Sequence, residues 1–174
     1  MKRPSLVPLI AAVGLLSQGA VTATEVSLEL EIPQLPVAEY HRPYVAVWLE
    51  NDQGRHLADF ALWYDLKLRN NEGTSWLKDM RLWWRRSGRQ LPFPVDGFTG
   101  ATRAPGVHQV ALANAGQVLA ELEPGQYRIM IEAAREVGGR ELVELAFAWP
   151  VASARTVTGQ GEYELGDVRL QLKP

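Results

Sequence analysis

Alternation of apolar and polar positions dominates the chain. Glu25–Ile32 reads EVSLELEI, which sets Val26, Leu28, Leu30 and Ile32 on one face and mostly acids on the other, the pattern of a half-buried strand. Tyr44–Glu50 (YVAVWLE) is a more apolar strand, and the turn residues NDQGR separate it from His56–Tyr64 (HLADFALWY), predicting a hairpin. Tyr127–Ala133 and Glu141–Trp149 flank REVGGR, whose Gly138-Gly139 pair suits a tight hairpin turn. Val107–Leu112 predicts a further short strand, and Glu162–Leu172 a last strand or strand pair interrupted at Gly166. Some seven short strands punctuated by turns predict an all-β fold, an immunoglobulin-like β-sandwich.

One segment departs from period two. Across Ser75–Gly88 (SWLKDMRLWWRRSG), Trp76, Met80, Trp83 and Trp84 share one side of a helix and Lys78, Arg81 and Arg85 another. Ser75 suits the start of this short amphipathic helix and Gly88 its end, and Arg81, Arg85 and Arg86 favour the C-terminal end of its dipole. Its aromatic face can close one side of a small β-domain. Alternatively, Trp83 or Trp84 forms a cofactor wall that stacks on a planar ring, with Arg85, Arg86 and Arg89 placed to meet phosphate.

The N-terminus belongs to a different class. Lys2 and Arg3 precede the apolar run Leu6–Leu16, and Val21-Thr22-Ala23 supplies small residues at the positions a signal peptidase reads. Residues 1–23 are therefore expected to be a secretory signal peptide, leaving residues 24–174 as a single domain without a membrane span. That domain carries 16 Lys and Arg against 20 Asp and Glu, which argues against a nucleic-acid partner. The chain has no cysteine, so lipidation at +1, disulfides, thiolate metal sites and thioether-linked haem are all excluded.

Sites for catalysis or metals find little support. His41, His56 and His108 show no metal-ligand spacing, although His56 lies close to Asp59. There is no G-x-S-x-G elbow and no thiol nucleophile. No catalytic residue and no metal site is expected.

The remaining feature is VDGFTGATRAPG, Val95–Gly106. Gly97, Gly100, Pro105 and Gly106 make a loop of low bulk, Asp96 is a turn-starting residue, and Thr99 and Thr102 flank Gly100-Ala101. On composition alone it is a glycine-rich turn ahead of the next strand, lean enough to enter another enzyme's cleft and present Thr102.

Asp96-Gly97-Phe98-Thr99-Gly100-Ala101-Thr102 matches the pattern Asp-x-x-(Ser/Thr)-Gly-Ala-(Thr/Ser). It resembles the acceptor motif of flavin-transferase substrates, found in extracytoplasmic subunits of sodium-pumping NADH:quinone reductases and related complexes. RPYVAVWLE (Arg42–Glu50), LKDMRLWWRRS (Leu77–Ser87), PGQYRIMIEAARE (Pro124–Glu136) and ELGDVRL (Glu164–Leu170) extend the likeness over residues 24–174. The chain resembles the bacterial periplasmic family known as domain of unknown function 2271, itself similar in architecture to flagellar hook-cap proteins. The resemblance implies FMN held on Thr102 through a phosphoester, with Asp96, Thr99, Gly100 and Ala101 as recognition positions. It implies two partners, an FAD-dependent FMN transferase and a PepSY-domain membrane protein. Arg103 is placed to pair with the phosphodiester. The expectation is a periplasmic electron-transfer flavoprotein rather than an enzyme, and the alternative is a non-redox immunoglobulin-like binding or accessory module.

Overall fold

The computed structural model describes residues 25–174. The expected signal peptide, residues 1–23, lies outside the described residues. The strands are β1 (Glu25–Ile32), β2 (Tyr44–Asn51), β3 (His56–Tyr64), β4 (Thr99–Ala101), β5 (Gly106–Val110), β6 (Gly125–Ala134), β7 (Arg140–Trp149), β8 (Arg155–Gln160) and β9 (Asp167–Lys173). They form a four-stranded sheet in the order β5-β1-β9-β8 and a five-stranded sheet in the order β4-β3-β2-β6-β7. The fold is the all-β sandwich that the alternation predicts.

The inner core follows from that alternation. Leu28, Leu30 and Ile32 of β1 and Leu170 and Leu172 of β9 meet Val45, Val47, Phe60, Trp63, Ile129, Ile131, Leu145 and Phe147 from the other sheet. The hairpin turns work as expected in outline. Asn51 Oδ1 accepts the N–H groups of Gln53 and Arg55, and Gly54 takes φ 72°. In the β6–β7 turn the left-handed residue is Val137 (φ 52°) rather than either glycine.

Two elements differ from expectation. Residues 162–165 are not strand. The Glu141 carboxylate accepts the backbone N–H groups of Glu162, Tyr163, Glu164 and Leu165, folding them into a turn so that β9 starts only at Asp167. Burial pushes the Glu141 carboxyl up, but these four donors outweigh it and hold it below its usual range. In compensation β8 is a strand that carries no clear apolar alternation, because it is a sheet edge with one face of Val157 and Gly159.

The expected continuous helix over Ser75–Gly88 is also revised. A 3₁₀ segment spans Arg69–Asp79, the chain breaks at Met80 (φ −76°, ψ 74°), and α1 covers only Arg81–Arg86, followed by a 3₁₀ turn at Gly88–Gln90. Ser75 does not cap it. The cap is Glu132 on β6, whose buried carboxylate accepts the N–H groups of Leu82 (3.1 Å) and Trp83 (2.7 Å) and pairs with Arg140. The fully buried positions are Leu77, Met80 and Trp83, a spacing of three, and Trp76 and Trp84 are half-buried. Gly88 is required by packing, since a Cβ there would lie 2.6 Å from Cζ3 of Trp83.

This segment forms a third layer on the outer face of the five-stranded sheet. Leu77, Met80 and Trp83 pack there against Ala46, Trp48, Leu62, Tyr64, Met130 and Ala134. A second short helix, α2 (Ala115–Ala120), inserts Ala115 and Leu119 into the inner core.

Candidate functional site

The loop Val95–Gly106 runs from the outer layer to the side of the sandwich where the edge strands β4 and β5 lie. Phe93 and Phe98 pack against the outer cluster, and the Phe93–Pro94 bond is cis. Gly97 takes φ 93° with open space around it, a conformation that needs glycine. Asp96 is exposed at this turn. The Val95 N–H donates to Thr99 Oγ1 (3.1 Å) and the Thr99 N–H to the Val95 carbonyl (3.3 Å), closing the turn at its base.

Thr99, Gly100 and Ala101 then form β4, paired in parallel with Leu62, Trp63 and Tyr64 at the edge of the five-stranded sheet. This strand leaves no signal in the sequence, because three small residues carry no alternation and their partner lies 37 positions away. The Leu62 N–H donates to the Phe98 carbonyl (2.9 Å) and the Thr102 N–H to the Tyr64 carbonyl (3.3 Å). Past Thr102 the chain crosses to β5, the edge strand of the other sheet, so Thr102 begins the strap that joins the two edges.

The two threonines are used differently. Thr99 Oγ1 is engaged by the Val95 amide, whereas among the described residues Thr102 is engaged through its backbone N–H alone. Thr102 is partly exposed. Gly100 faces the Trp63 indole, with its position for a Cβ at 3.4 Å from Cδ1. Arg103 lays its guanidinium over the same indole, 5.4 Å from the ring centroid, and His108 meets that ring edge-on at 6.0 Å. His108 Nε2 lies 2.7 Å from the Ala104 carbonyl, which makes Nε2–H the donor and ties the strap to β5.

Trp63 is therefore the aromatic neighbour of the motif, and it was not anticipated. Trp83 is fully buried and donates its Nε1–H to Asp59 Oδ1 (2.8 Å), so both its faces and its polar edge belong to the outer core. Trp84 stacks on Phe93, the residue leading into the loop, with centroids 6.2 Å apart and planes at 19°. Arg86 is held by Glu50 (3.1 Å), and Arg85 and Arg89 are exposed.

Folding also gathers His56, Asp59 and Ser87. Ser87 Oγ donates to Asp59 Oδ2, and His56 Nε2 lies 3.1 Å from Asp59 Oδ1. The carboxylate sits between serine and histidine, whereas a hydrolytic relay needs the imidazole in that place to take the serine proton. The set is a tie between β3 and the end of α1. Burial pushes the Asp59 carboxyl up, but the adjacent His56 imidazole and the bonds from Ser87 and Trp83 outweigh it and hold it below its usual value.

The model of the DUF2271 family, described as predicted periplasmic proteins, matches residues 25–167. The chain belongs to this family. The match takes in the five-stranded sheet, β1, β5 and β8 of the other sheet, the outer layer and the whole loop from Asp96 to Arg103, and ends at the first residue of β9; the family's description places the protein in the periplasm. Among the described residues no helix is long and apolar enough to cross a membrane. No curated protein and no solved structure matches the chain.

Proposed function

We propose that this family member is a periplasmic electron carrier that holds FMN covalently on Thr102, loaded by an FAD-dependent FMN transferase. The observation that carries the proposal is the acceptor-type sequence Asp96–Thr102 set on an exposed edge with the Thr99 hydroxyl engaged and the Thr102 hydroxyl left untied. The residues fit such a group. Gly97, Gly100 and Ala101 keep bulk away from the approach, and the Arg103 guanidinium, adjacent in sequence and exposed, supplies a positive charge for a phosphodiester.

In the loading step Thr102 Oγ1 attacks the FMN-side phosphorus of FAD. An Oγ1–P bond forms, the pyrophosphate P–O bond breaks, and AMP leaves with the bridging oxygen. The hydroxyl proton passes to a base of the transferase, since the strap offers none beside Thr102. The bound flavin supplies one- and two-electron chemistry. The chain's own part is to tether it at the sandwich edge, where a PepSY-type membrane protein is the proposed exchange partner.

Co-expression with an active FMN transferase tests this reading. The expected result is a fluorescent band on a denaturing gel, an intact mass increased by FMN less water, and loss of both in Thr102→Ala. An unmodified mass beside a control substrate that is fully loaded would overturn it.

A further inference from the structure

The outer layer concentrates positive charge on an otherwise acidic protein. Residues 67–89 hold seven Lys and Arg against two acids, whereas the rest of residues 25–174 holds nine against eighteen. Lys78, Arg81, Arg85 and Arg140 line one open concavity of about 470 Å³ together with the half-buried Trp84. Trp76 lines the adjoining concavity, which shares Arg81 and Arg140.

This arrangement works against the stability of the segment. Within α1 Arg81 and Arg85 are four residues apart, so like charges sit on one side of successive turns, where opposite charges would help, and Lys78 adds a third just before the break at Met80. Among the described residues, Arg140 is paired, with Glu132, while no carboxylate lies within ion-pair distance of Lys78, Arg81 or Arg85. The buried Glu132 cannot neutralise them, because its charge is already met by two backbone amides and Arg140. Unpaired like charges beside a partly exposed indole are what an external anionic surface would complete. At the start of the same segment Leu66 and Leu68 are exposed on either side of Lys67.

We infer that this layer is a docking surface for an anionic phospholipid membrane. The concavity is shallow and open, so it suits a field of headgroups. Trp84 and Trp76 have the half-apolar, half-wet placement of aromatic residues at a membrane–water interface. The acidic remainder of the molecule is repelled by the same surface, which orients the basic layer towards it. A periplasmic protein meets such a surface on the membranes that bound its compartment. The inference stands whether or not Thr102 carries flavin.

The test is co-sedimentation of the protein, purified from the periplasm, with vesicles of phosphatidylglycerol and phosphatidylcholine in equal parts, and with pure phosphatidylcholine. Binding is expected on the mixed vesicles alone and is lost at high salt. Each lysine or arginine near an anionic surface contributes about 1 kcal/mol, so the double variant Arg81→Glu/Arg85→Glu is expected to bind at least about thirtyfold more weakly. Trp84→Ala is expected to weaken binding several-fold, and Arg155→Glu/Arg169→Glu on the four-stranded sheet to leave it unchanged. Thermal melts of each variant separate lost docking from lost folding. Equal binding to both vesicle types, an Arg81/Arg85 double variant that folds and binds like the wild type, or equal affinity for soluble polyglutamate would each overturn the inference.

Discussion

The outer layer and the motif edge both attach to β3, and they are held on opposite terms. Around α1 the ties are side chains taken out of water. Glu132 caps the helix, Asp59 gathers Trp83, Ser87 and His56, and Gly88 makes room for the Trp83 ring. At the motif edge the ties are mainly backbone, namely the short parallel β4 pairing and the Thr99 bond that closes its turn. An edge held by a few backbone bonds can be drawn into another protein's cleft at low cost, whereas a layer locked by buried carboxylates and indoles cannot. The difference makes the layer the stiffer part of the molecule and the edge the more yielding one, which is what the proposed loading of Thr102 by a second enzyme requires.

The sharpest way to break the comparison is at Trp83. It is fully buried, and truncation removes its ring contacts and leaves Asp59 without one of its donors. Trp83→Ala is expected to cost about 3–5 kcal/mol in urea unfolding. Gly88→Ala drives a methyl into the same ring and is expected to cost about 1–3 kcal/mol. If either variant unfolds like the wild type, the outer layer is dispensable and the contrast fails.

Next in size is the acid response of Asp59. Its folded-state carboxyl is held below the ordinary value of 3.8, so its contribution is present above that value and is lost as pH falls through the folded one. The wild type is therefore expected to lose stability more steeply on acidification below about pH 4 than Asp59→Asn, which has no such charge to lose. Urea midpoints measured against pH check the sign, and parallel curves for the two proteins would show that the tie does not depend on the carboxylate's charge.

The same division explains what was legible in the sequence. β1, whose faces differ in burial, was visible as alternation and falls where EVSLELEI places it, whereas β3, covered on both faces, was visible as the apolar return HLADFALWY after a turn. The motif was visible because it is contiguous. What escaped was set by partners distant in the chain. α1 begins at Arg81 because Glu132 caps it from β6, and residues 162–165 turn because Glu141 collects their amides from β7. Trp63 joins the motif only through the parallel register of β3 with β4. None of these ties leaves a local periodicity.

The smallest stability effects belong to the motif, and there the comparison can be sharpened to two residues of one type. Thr99→Ala removes the acceptor of the Val95 amide and is expected to cost about 1 kcal/mol, with lower flavin loading because the turn presenting the acceptor loosens. Thr102→Ala removes a hydroxyl that makes no hydrogen bond among the described residues, and is expected to change stability by less than about 0.5 kcal/mol while abolishing loading. Thr102→Ser keeps a nucleophilic oxygen and is expected to load, whereas Thr102→Val, which matches threonine in shape, is not. Unfolding midpoints and intact mass on the same four variants separate the two roles. A Thr102 variant as costly to stability as Thr99→Ala would mean that its hydroxyl belongs to the scaffold, and the division of labour between the two threonines would be lost.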